Sequence, residues 1–315
     1  MCLEDYQKSA KVHNYIKKEL KKNILKPGVS LHEITKFIEN TIKTKMNYDP
    51  SYPLKAGIAF PVSLSVNKRV AHYTLPLNAK KYILKEDDIL KIDYGIHKNG
   101  YIIDSAFTYS ACPDYQELLK IGEKTTDFAV SLCKIDTHLS DIGIQIEEYV
   151  QSKEINIHNN FIQLNTIKNL FGHNIKRFQI HGGKLIPSYK IPQIYNEKIK
   201  ENEVYALEPF ISTGNRLIYS KAPYTMYELN KDNNSSLLNK QEKQLLFDIK
   251  KQYGHLTFCD RYLKEDLKFQ NRKLLNSLIK KNTIIKEPSL YIHDGLTTQF
   301  ESNVYISPKK TIRLT

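Results

Sequence analysis

Along residues 6–20, Tyr6, Ala10, Ile16 and Leu20 recur at helical spacing under a lysine-rich face, which predicts a first helix. Pro27-Gly28 then breaks the chain. Ser30-Leu31-His32-Glu33 has the form of a capping box, and Leu31, Ile34, Ile38 and Ile42 make one apolar stripe behind it. Residues 57–70 are apolar but interrupted by Pro61, so they read as strand and loop. Residues 89–93 and 101–109 read as strands joined across Asn99-Gly100, the commonest dipeptide of a tight hairpin turn. Helical patterns follow at 115–134 and 139–150, and strand signals return at 178–180, 204–210 and 305–307. Residues 224–288 differ in kind: polar at 230–236, then helical through 241–252 and 272–281.

The pattern also repeats faintly within the chain. Ile34, Ile38, Glu39 and Ile42 match Ile142, Ile146, Glu147 and Val150 at one common offset. Glu86-Asp87-Asp88-Ile89-Leu90-Lys91-Ile92-Asp93 resembles Glu201-Asn202-Glu203-Val204-Tyr205-Ala206-Leu207-Glu208. Each copy runs from a helix through an acidic turn to an apolar strand that ends in a carboxylate. A duplicated half-domain, with one acid from each half at a shared centre, explains this; chance similarity of few residues is the alternative.

Composition narrows the class. A chain of 315 residues with 41% hydrophobic content can bury a real core, and 26% charged residues argue against intrinsic disorder. No apolar run is long enough to cross a bilayer, and Met1-Cys2-Leu3-Glu4-Asp5 is not a signal peptide, so a cytoplasmic protein without membrane contact is expected. Cys2, Cys112, Cys133 and Cys259 lie far apart, which predicts reduced thiols rather than a disulfide frame or structural zinc site. Asn233 and Asn234 each open a glycosylation triplet that carries no meaning without secretion. The formal charge of +13 suits work near RNA such as a ribosome, or is simply a solvated coat.

The chemistry begins at the hairpin. With Asn99-Gly100 as the turn, Lys98 faces Tyr101 and Asp93 faces Ala106, so Asp104 is a diagonal neighbour of Asp93 on one face. Two carboxylates among Ile89, Ile92, Ile103 and Phe107 need cations, because uncompensated burial of charge is costly. Gly172-His173 precedes a strand ending in Ile180-His181-Gly182-Gly183, Glu208 interrupts an apolar strand, and Glu301 follows Thr298-Gln299-Phe300. Each is weak alone. Together they offer four carboxylates and an imidazole, a hard set suited to two divalent ions. Two such ions about 3.5–4 Å apart activate a water and polarise a carbonyl, which is two-metal hydrolysis.

Gly57-Ile58-Ala59-Phe60-Pro61, Ala71-His72-Tyr73-Thr74, Lys91-Ile92-Asp93-Tyr94-Gly95, Ile102-Ile103-Asp104, Gly172-His173, Ile180-His181 and Gln299-Phe300-Glu301 closely resemble type II methionine aminopeptidases in identity, order and spacing. The resemblance runs from near Ala10 to near Lys309 and is weakest in 224–288. It implies an α+β "pita-bread" fold, one catalytic domain over 1–315 whose two pseudo-symmetric halves share a curved, largely antiparallel sheet, with 224–288 a type II helical insertion. It implies a metalloprotease that excises the N-terminal methionine of nascent polypeptides when the second residue is small. It implies two divalent ions drawn from Co, Mn, Fe or Zn, and a monomer. Asp93 would chelate one ion, Asp104 and Glu301 would bridge both, and His173 and Glu208 would complete the other. Glu208 would also move a proton. His72 and His181 would contact the scissile amide, and His72 would be the nucleophile that spiro-epoxide inhibitors of the fumagillin type alkylate. Phe60, Ile180 and Thr257 would line the methionine pocket.

Subclass follows from length, since 93 positions separate Glu208 from Glu301, far more than one hairpin needs. The chain departs from the family in three places. After Tyr219, where a histidine is usual, it has Pro223-Tyr224-Thr225-Met226-Tyr227; Pro209 stands where threonine is common, and Gly182 where alanine is common. The rival readings are a non-catalytic pita-bread protein that regulates growth and binds RNA, which would have lost metal ligands, and a prolidase-like dipeptidase, for whose N-terminal domain no room precedes Gly57.

Overall fold

The computed structural model describes residues 3–191, 197–230 and 237–315; Cys2 and the Asn233 and Asn234 triplets lie outside them. Helix α1 (Leu3–Glu19) buries Tyr6, Ala10 and Ile16 as its period predicts, and a wider turn at Leu20–Ile24 ends it. Helix α2 (Leu31–Lys45) starts at the capping box: the Ser30 hydroxyl accepts from the Glu33 N–H at 3.2 Å, and the Glu33 carboxylate accepts from the Ser30 N–H at 2.9 Å. Both helices pack on a sheet ordered β1 (Ala56–Val66), β3 (Leu90–Lys98), β4 (Tyr101–Tyr109), with β2 (Arg69–Ala71) following β1 in the chain. Pro61 does not end β1. The register against β3 shifts on either side of Phe60, so the residue that lacks an N–H falls in a bulge. The β3–β4 hairpin has the predicted register, with Lys98 opposite Tyr101 and Asp93 opposite Ala106, and Asn99 and Gly100 both take positive φ.

The second half repeats this plan. Helices α3 (Gln116–Leu132) and α4 (Leu139–Gln151) are followed by short strands β5 (Glu154–Ile157), β6 (Asn160–Gln163) and β7 (Asn165–Thr166). Then come β8 (Gly172–Ile175), β9 (Leu185–Ile186), β10 (Val204–Leu207) and β11 (Phe210–Ser212). A sheet ordered β8-β10-β15, with β15 (Ser302–Ile306), is the counterpart of β1-β3-β4. The matched sequence segments fall on α2 and α4 and on the turns that enter β3 and β10, so the faint repeat marks equivalent elements. All strand pairings among the described residues are antiparallel.

Two strand expectations need correction. Residues 204–210 are not one strand: β10 and β11 lie in different sheets, with Glu208-Pro209 between them. Pro209 has no N–H to give a ladder, so pairing stops there. The partner chain breaks at the same level, between β14 (Thr297–Gln299) and β15, and the break holds Phe300-Glu301. Leu207 faces Ser302 and Phe210 faces Gln299, so the two breaks lie opposite one another. Residues 178–180 are not a strand either. Phe178 has φ +57°, its N–H donates to Gly100 at 2.8 Å, and its ring covers that glycine at the tip of the β3–β4 hairpin.

The stretch 224–288 starts inside β12 (Ile218–Leu229) and ends inside β13 (Ile284–Ile292), a long hairpin whose strands escaped the sequence pattern. Between them lie α5 (Lys240–Tyr253), α6 (Asp260–Leu267) and α7 (Arg272–Lys280). Helix α6 was not expected; its eight residues bury only Tyr262 and Leu263, too few to show a period. These helices close over Tyr227, Ile249, Phe258 and Leu278 as a core of their own, while β16 (Thr311–Arg313) pairs with β15 at the sheet edge.

Arg261 of α6 ties this layer to the first half. It donates to both oxygens of Glu39 on α2 at 2.9 and 2.8 Å, to the Leu75 carbonyl at 2.9 Å and to the Thr74 hydroxyl at 3.1 Å. Tyr262 donates to the same carboxylate at 2.8 Å. Glu39 is 7% exposed, so loss of the guanidinium leaves a buried charge short of its partner. Arg261→Ala is expected to cost about 3–5 kcal/mol in urea unfolding, whereas the double variant with Glu39→Gln should recover part of that loss. A cost below about 1 kcal/mol, the worth of an exposed pair, would refute the clamp.

Candidate active site

The hairpin's period of two turns Asp93 of β3 and Asp104 of β4 to the same face. Glu301 reaches them from the other half through the break before β15. Its N–H donates to Ala106 O at 3.0 Å, and the Ser105 hydroxyl donates to its carbonyl at 2.5 Å. Beside it, Asn303 Oδ1 accepts from the Asp104 N–H at 2.6 Å. Backbone contacts therefore stitch the halves together where their acids meet. One oxygen from each of Asp93, Asp104 and Glu301 lies within 4.8 Å of the other two. His173 on β8 faces Ala206, which sets its ring beside the opposite break: Nε2 is 3.6 Å from Asp104 Oδ2 and 3.3 Å from Glu208 Oε1. The structure thus gathers all five residues expected to ligate metal.

Among the described residues none of these four carboxylates pairs with a lysine or arginine; His173 is the sole basic partner of Asp104 and Glu208. Burial pushes His173 down to about 4, so its ring is neutral at pH 7. Burial also raises every carboxyl, and mutual repulsion adds to it. Asp104 rises to about 8 by burial and then by the charge of Glu208, and Glu208 rises to about 8 by burial. Asp93 and Glu301 stand well above the carboxylate range, by burial first and then by their acidic neighbours. Gln299 Nε2 offers single weak contacts, 3.3 Å to Asp93 Oδ2 and 3.5 Å to Glu301 Oε2. Asp93 Oδ1 and Glu301 Oε1 are buried with no hydrogen-bond partner at all. Orphaned carboxylate oxygens around a neutral imidazole fit divalent cations of hard or borderline character.

Asp93, Asp104, His173 and Glu208 of the cluster form one side of a cavity of about 560 Å³, its mouth included. Phe60, His72, Ile180, His181 and Thr257, the remaining expected site residues, line the same cavity. Phe60 lies across Gly95, where a Cβ would sit 2.2 Å from its ring, so this glycine makes room for the pocket wall. Thr257 is fixed by a two-bond bridge between Phe258 and Tyr227, at 2.9 and 2.8 Å. The His181 ring stands edge-on to His173 with centroids 4.5 Å apart. Gly182 also has a steric reason: a Cβ there would come within 2.6 Å of Asn174 Oδ1.

Ser63, Met226, Glu228 and Glu287 complete the lining, and sequence reasoning missed them. Met226, Glu228 and Glu287 sit on β12 and β13, the hairpin that showed no clear alternation, so no inward face could be assigned. Met226 lies in the 223–227 segment that lacks the expected histidine and lines the cavity, next to Thr225, whose hydroxyl accepts from the Thr74 N–H at 3.2 Å.

Comparison with known proteins gives a consistent answer. A model of metallopeptidase family M24 matches residues 4–232. The chain is 36% identical to methionine aminopeptidase 2 of Komagataella phaffii over 309 residues, 96% of this chain and 67% of that protein. The structure of a thermophilic Arx1 superposes with a TM-score of 0.78 at 15% identity, covering 99% of this chain and 90% of that one. A methionine aminopeptidase from Thermotoga maritima gives 0.62 at 20% identity, covering 99% and 95%. At such identities these two structures speak for the pita-bread fold alone.

A carboxyl must lose its proton to ligate metal, so binding releases the protons held by Asp104 and Glu208. Both titrate near 8 in the metal-free protein, above their unfolded values, so metal-induced stabilisation should grow as pH rises toward 8 and shrink below it. Calorimetry of Mn or Zn binding at pH 7, in buffers of different ionisation enthalpy, should show net proton release. Buffer-independent heats at pH 7 would contradict the protonated resting cluster.

Proposed function

The chain belongs to metallopeptidase family M24, with the type 2 methionine aminopeptidases, and we propose that it hydrolyses the N-terminal methionine from nascent polypeptides whose second residue is small. The observation that carries this reading is one cavity that joins the orphaned carboxylate cluster to the apolar surfaces of Phe60, Ile180 and Met226. Two divalent ions, of Mn, Fe, Co or Zn, are the proposed cofactors: Asp93 would hold one, His173 and Glu208 would hold the other, and Asp104 and Glu301 would be shared by both. Ions so bound supply Lewis acidity toward a carbonyl and lower the pKa of water.

The chain's own residues do the rest. The apolar wall, with Thr257 at its edge, takes the methionine side chain and places the scissile amide over the acids. Glu208 is the proposed proton carrier: it lines the cavity beside Asp93 and Asp104, its side chain is 12% exposed, and burial raises its proton affinity toward working pH. His72 and His181 flank the amide; their ring nitrogens can bond its N–H and its tetrahedral oxygen. A non-catalytic RNA-binding protein of this fold, the second reading, would leave four buried acids unexplained. No helix of the described residues is long and apolar enough to cross a membrane. A monomer in the cytoplasm, with its basic surface near the ribosome, is the setting we propose.

Met-Ala-Ser should be cleaved, chelation should abolish that activity and added Mn or Co should restore it, while Met-Leu-Ser should be cleaved at least about 100-fold more slowly. Comparable rates on both peptides would overturn the size filter, and near-normal turnover by Asp104→Ala would overturn the bridging role. Loss of the wild-type activity altogether would sink the reading.

His72 carries a second test. Burial holds its ring down at about 4, so the imidazole is neutral and nucleophilic near pH 7. An epoxide delivered by the methionine pocket should alkylate it once per chain and inactivate the enzyme. His72→Asn should keep its metals and take up no label. Peptide mapping that puts the label on His181 or Cys259 would show the pocket to be oriented otherwise.

A further inference from the structure

We infer that Glu287 is the positioning residue for His72: its carboxylate fixes the imidazole proton on Nδ1 and so turns the Nε2 lone pair toward substrate. The inference rests on the proposed function, in which His72 meets the scissile amide. It concerns a glutamate on β13 that takes no part in the metal cluster.

His72 directly follows β2 with φ +60°, a conformation uncommon for a residue with a side chain, so neighbours must hold it. Two residues of one strand do so. The Ser289 hydroxyl lies 3.3 Å from His72 O and 2.8 Å from Pro223 O, which anchors the main chain. Glu287, on the same side of β13, sets Oε2 3.8 Å from His72 Nδ1. That nitrogen is buried and has no hydrogen-bond partner, although 34% of the side chain is exposed. The exposed part is therefore the ring edge away from Nδ1, the edge that carries Nε2 into the cavity.

A neutral imidazole has its proton on one nitrogen or the other. With the proton on Nε2, the bare lone pair of Nδ1 would be buried against a carboxylate, unsatisfied and repelled. With the proton on Nδ1, an N–H points at an acceptor. Burial raises the proton affinity of Glu287, and an N–H facing its oxygen offsets that cost. The gap of 3.8 Å is too long for a hydrogen bond, but rotation of the glutamate side chain closes it, and such contacts commonly tighten only in the substrate complex. Nε2 is then an obligate acceptor, able to take the N–H of the scissile amide and unable to donate in its place. His72 presents the right face because Glu287 occupies the other.

The test uses enzyme loaded with zinc, which is diamagnetic, and ¹⁵N-labelled histidine, so that imidazole shifts report the tautomer. Wild type and Glu287→Gln, which keeps a carbonyl acceptor, should both show His72 protonated on Nδ1. Glu287→Met removes the acceptor at similar length, and should show a mixed or Nε2-protonated ring. On Met-Ala-Ser its kcat should fall about 10–100-fold with KM within about threefold, zinc content unchanged, and Glu287→Gln should retain most of the rate. If Glu287→Met keeps the Nδ1 proton, the inference fails, and a loss confined to KM would mark Glu287 as a contact for the substrate amine instead. If Glu287→Met does not fold, wild type still decides, because an Nε2–H tautomer there excludes the role. The tautomer needs no turnover, so an inactive wild type would sink the proposed function while leaving this measurement in force.

Discussion

Four carboxylates buried against one another, with no lysine or arginine paired to them among the described residues, are the constraint around which this chain is built. At an effective dielectric of 20, two charges 4 Å apart repel by about 4 kcal/mol. A hydrogen bond to a charged group returns only about 1.5–3 kcal/mol, and Gln299 makes two long ones. Burial comes first and the repulsion adds to it, so the cluster without metal holds protons, with Asp104 and Glu208 raised to about 8. A set of ligands this unfavourable persists only if the rest of the fold holds it in place. Cations then bind a site whose cost of assembly has already been met.

The holding is done by backbone. Asp104 comes from a regular hairpin, where period and turn leave no choice of direction. Glu208 and Glu301 come from places where regular pairing fails. The facing breaks between β10 and β11 and between β14 and β15 release two side chains at one level. Pro209 makes the first break unavoidable. The second is held by contacts from Ser105 and Ala106 of the other half, which take up the carbonyl and N–H that a ladder would otherwise use. Two defects in strand pairing thus sit at the seam of a pseudo-twofold fold, and the acids converge because the defects face each other.

This explains what was legible. The hairpin could be read to the residue, because Asn99-Gly100 fixes the register and the register fixes which face Asp93 and Asp104 share. The capping box at Ser30 was equally local. His173, Glu208 and Glu301 could be singled out by their settings, but their roles came from the family resemblance, because their meeting depends on contacts across the whole chain that no local pattern encodes. Glu208 and Glu301 were visible as acids within apolar runs, but the strand breaks that aim them were not. Residues 178–180 misled for a related reason: Phe178 is apolar because it covers Gly100, not because it belongs to a ladder. The hairpin of β12 and β13 stayed hidden since its outer residues are mixed and its register shifts twice.

The division has a chemical counterpart. The metal cluster admits little variation, since removing or moving one oxygen alters the balance of every pair, and that rigidity lets short motifs reveal it. The opposite wall, formed by β12, β13 and the loop before α6, bears no such electrostatic load. In the proposed function it offers a shape to methionine and a partner to His72, and many side chains can do either. Met226 gives that wall an apolar surface beside Glu228 and Glu287. Arg261 fastens this wall to α2 and to the Thr74–Leu75 segment just beyond His72, so the imidazole and the wall it works against share one anchor. The reacting groups are placed by the seam between the halves, and the substrate is placed by a separate layer pinned to the same helix. Variation in the second can retune what the site accepts without disturbing the charges on which the first depends.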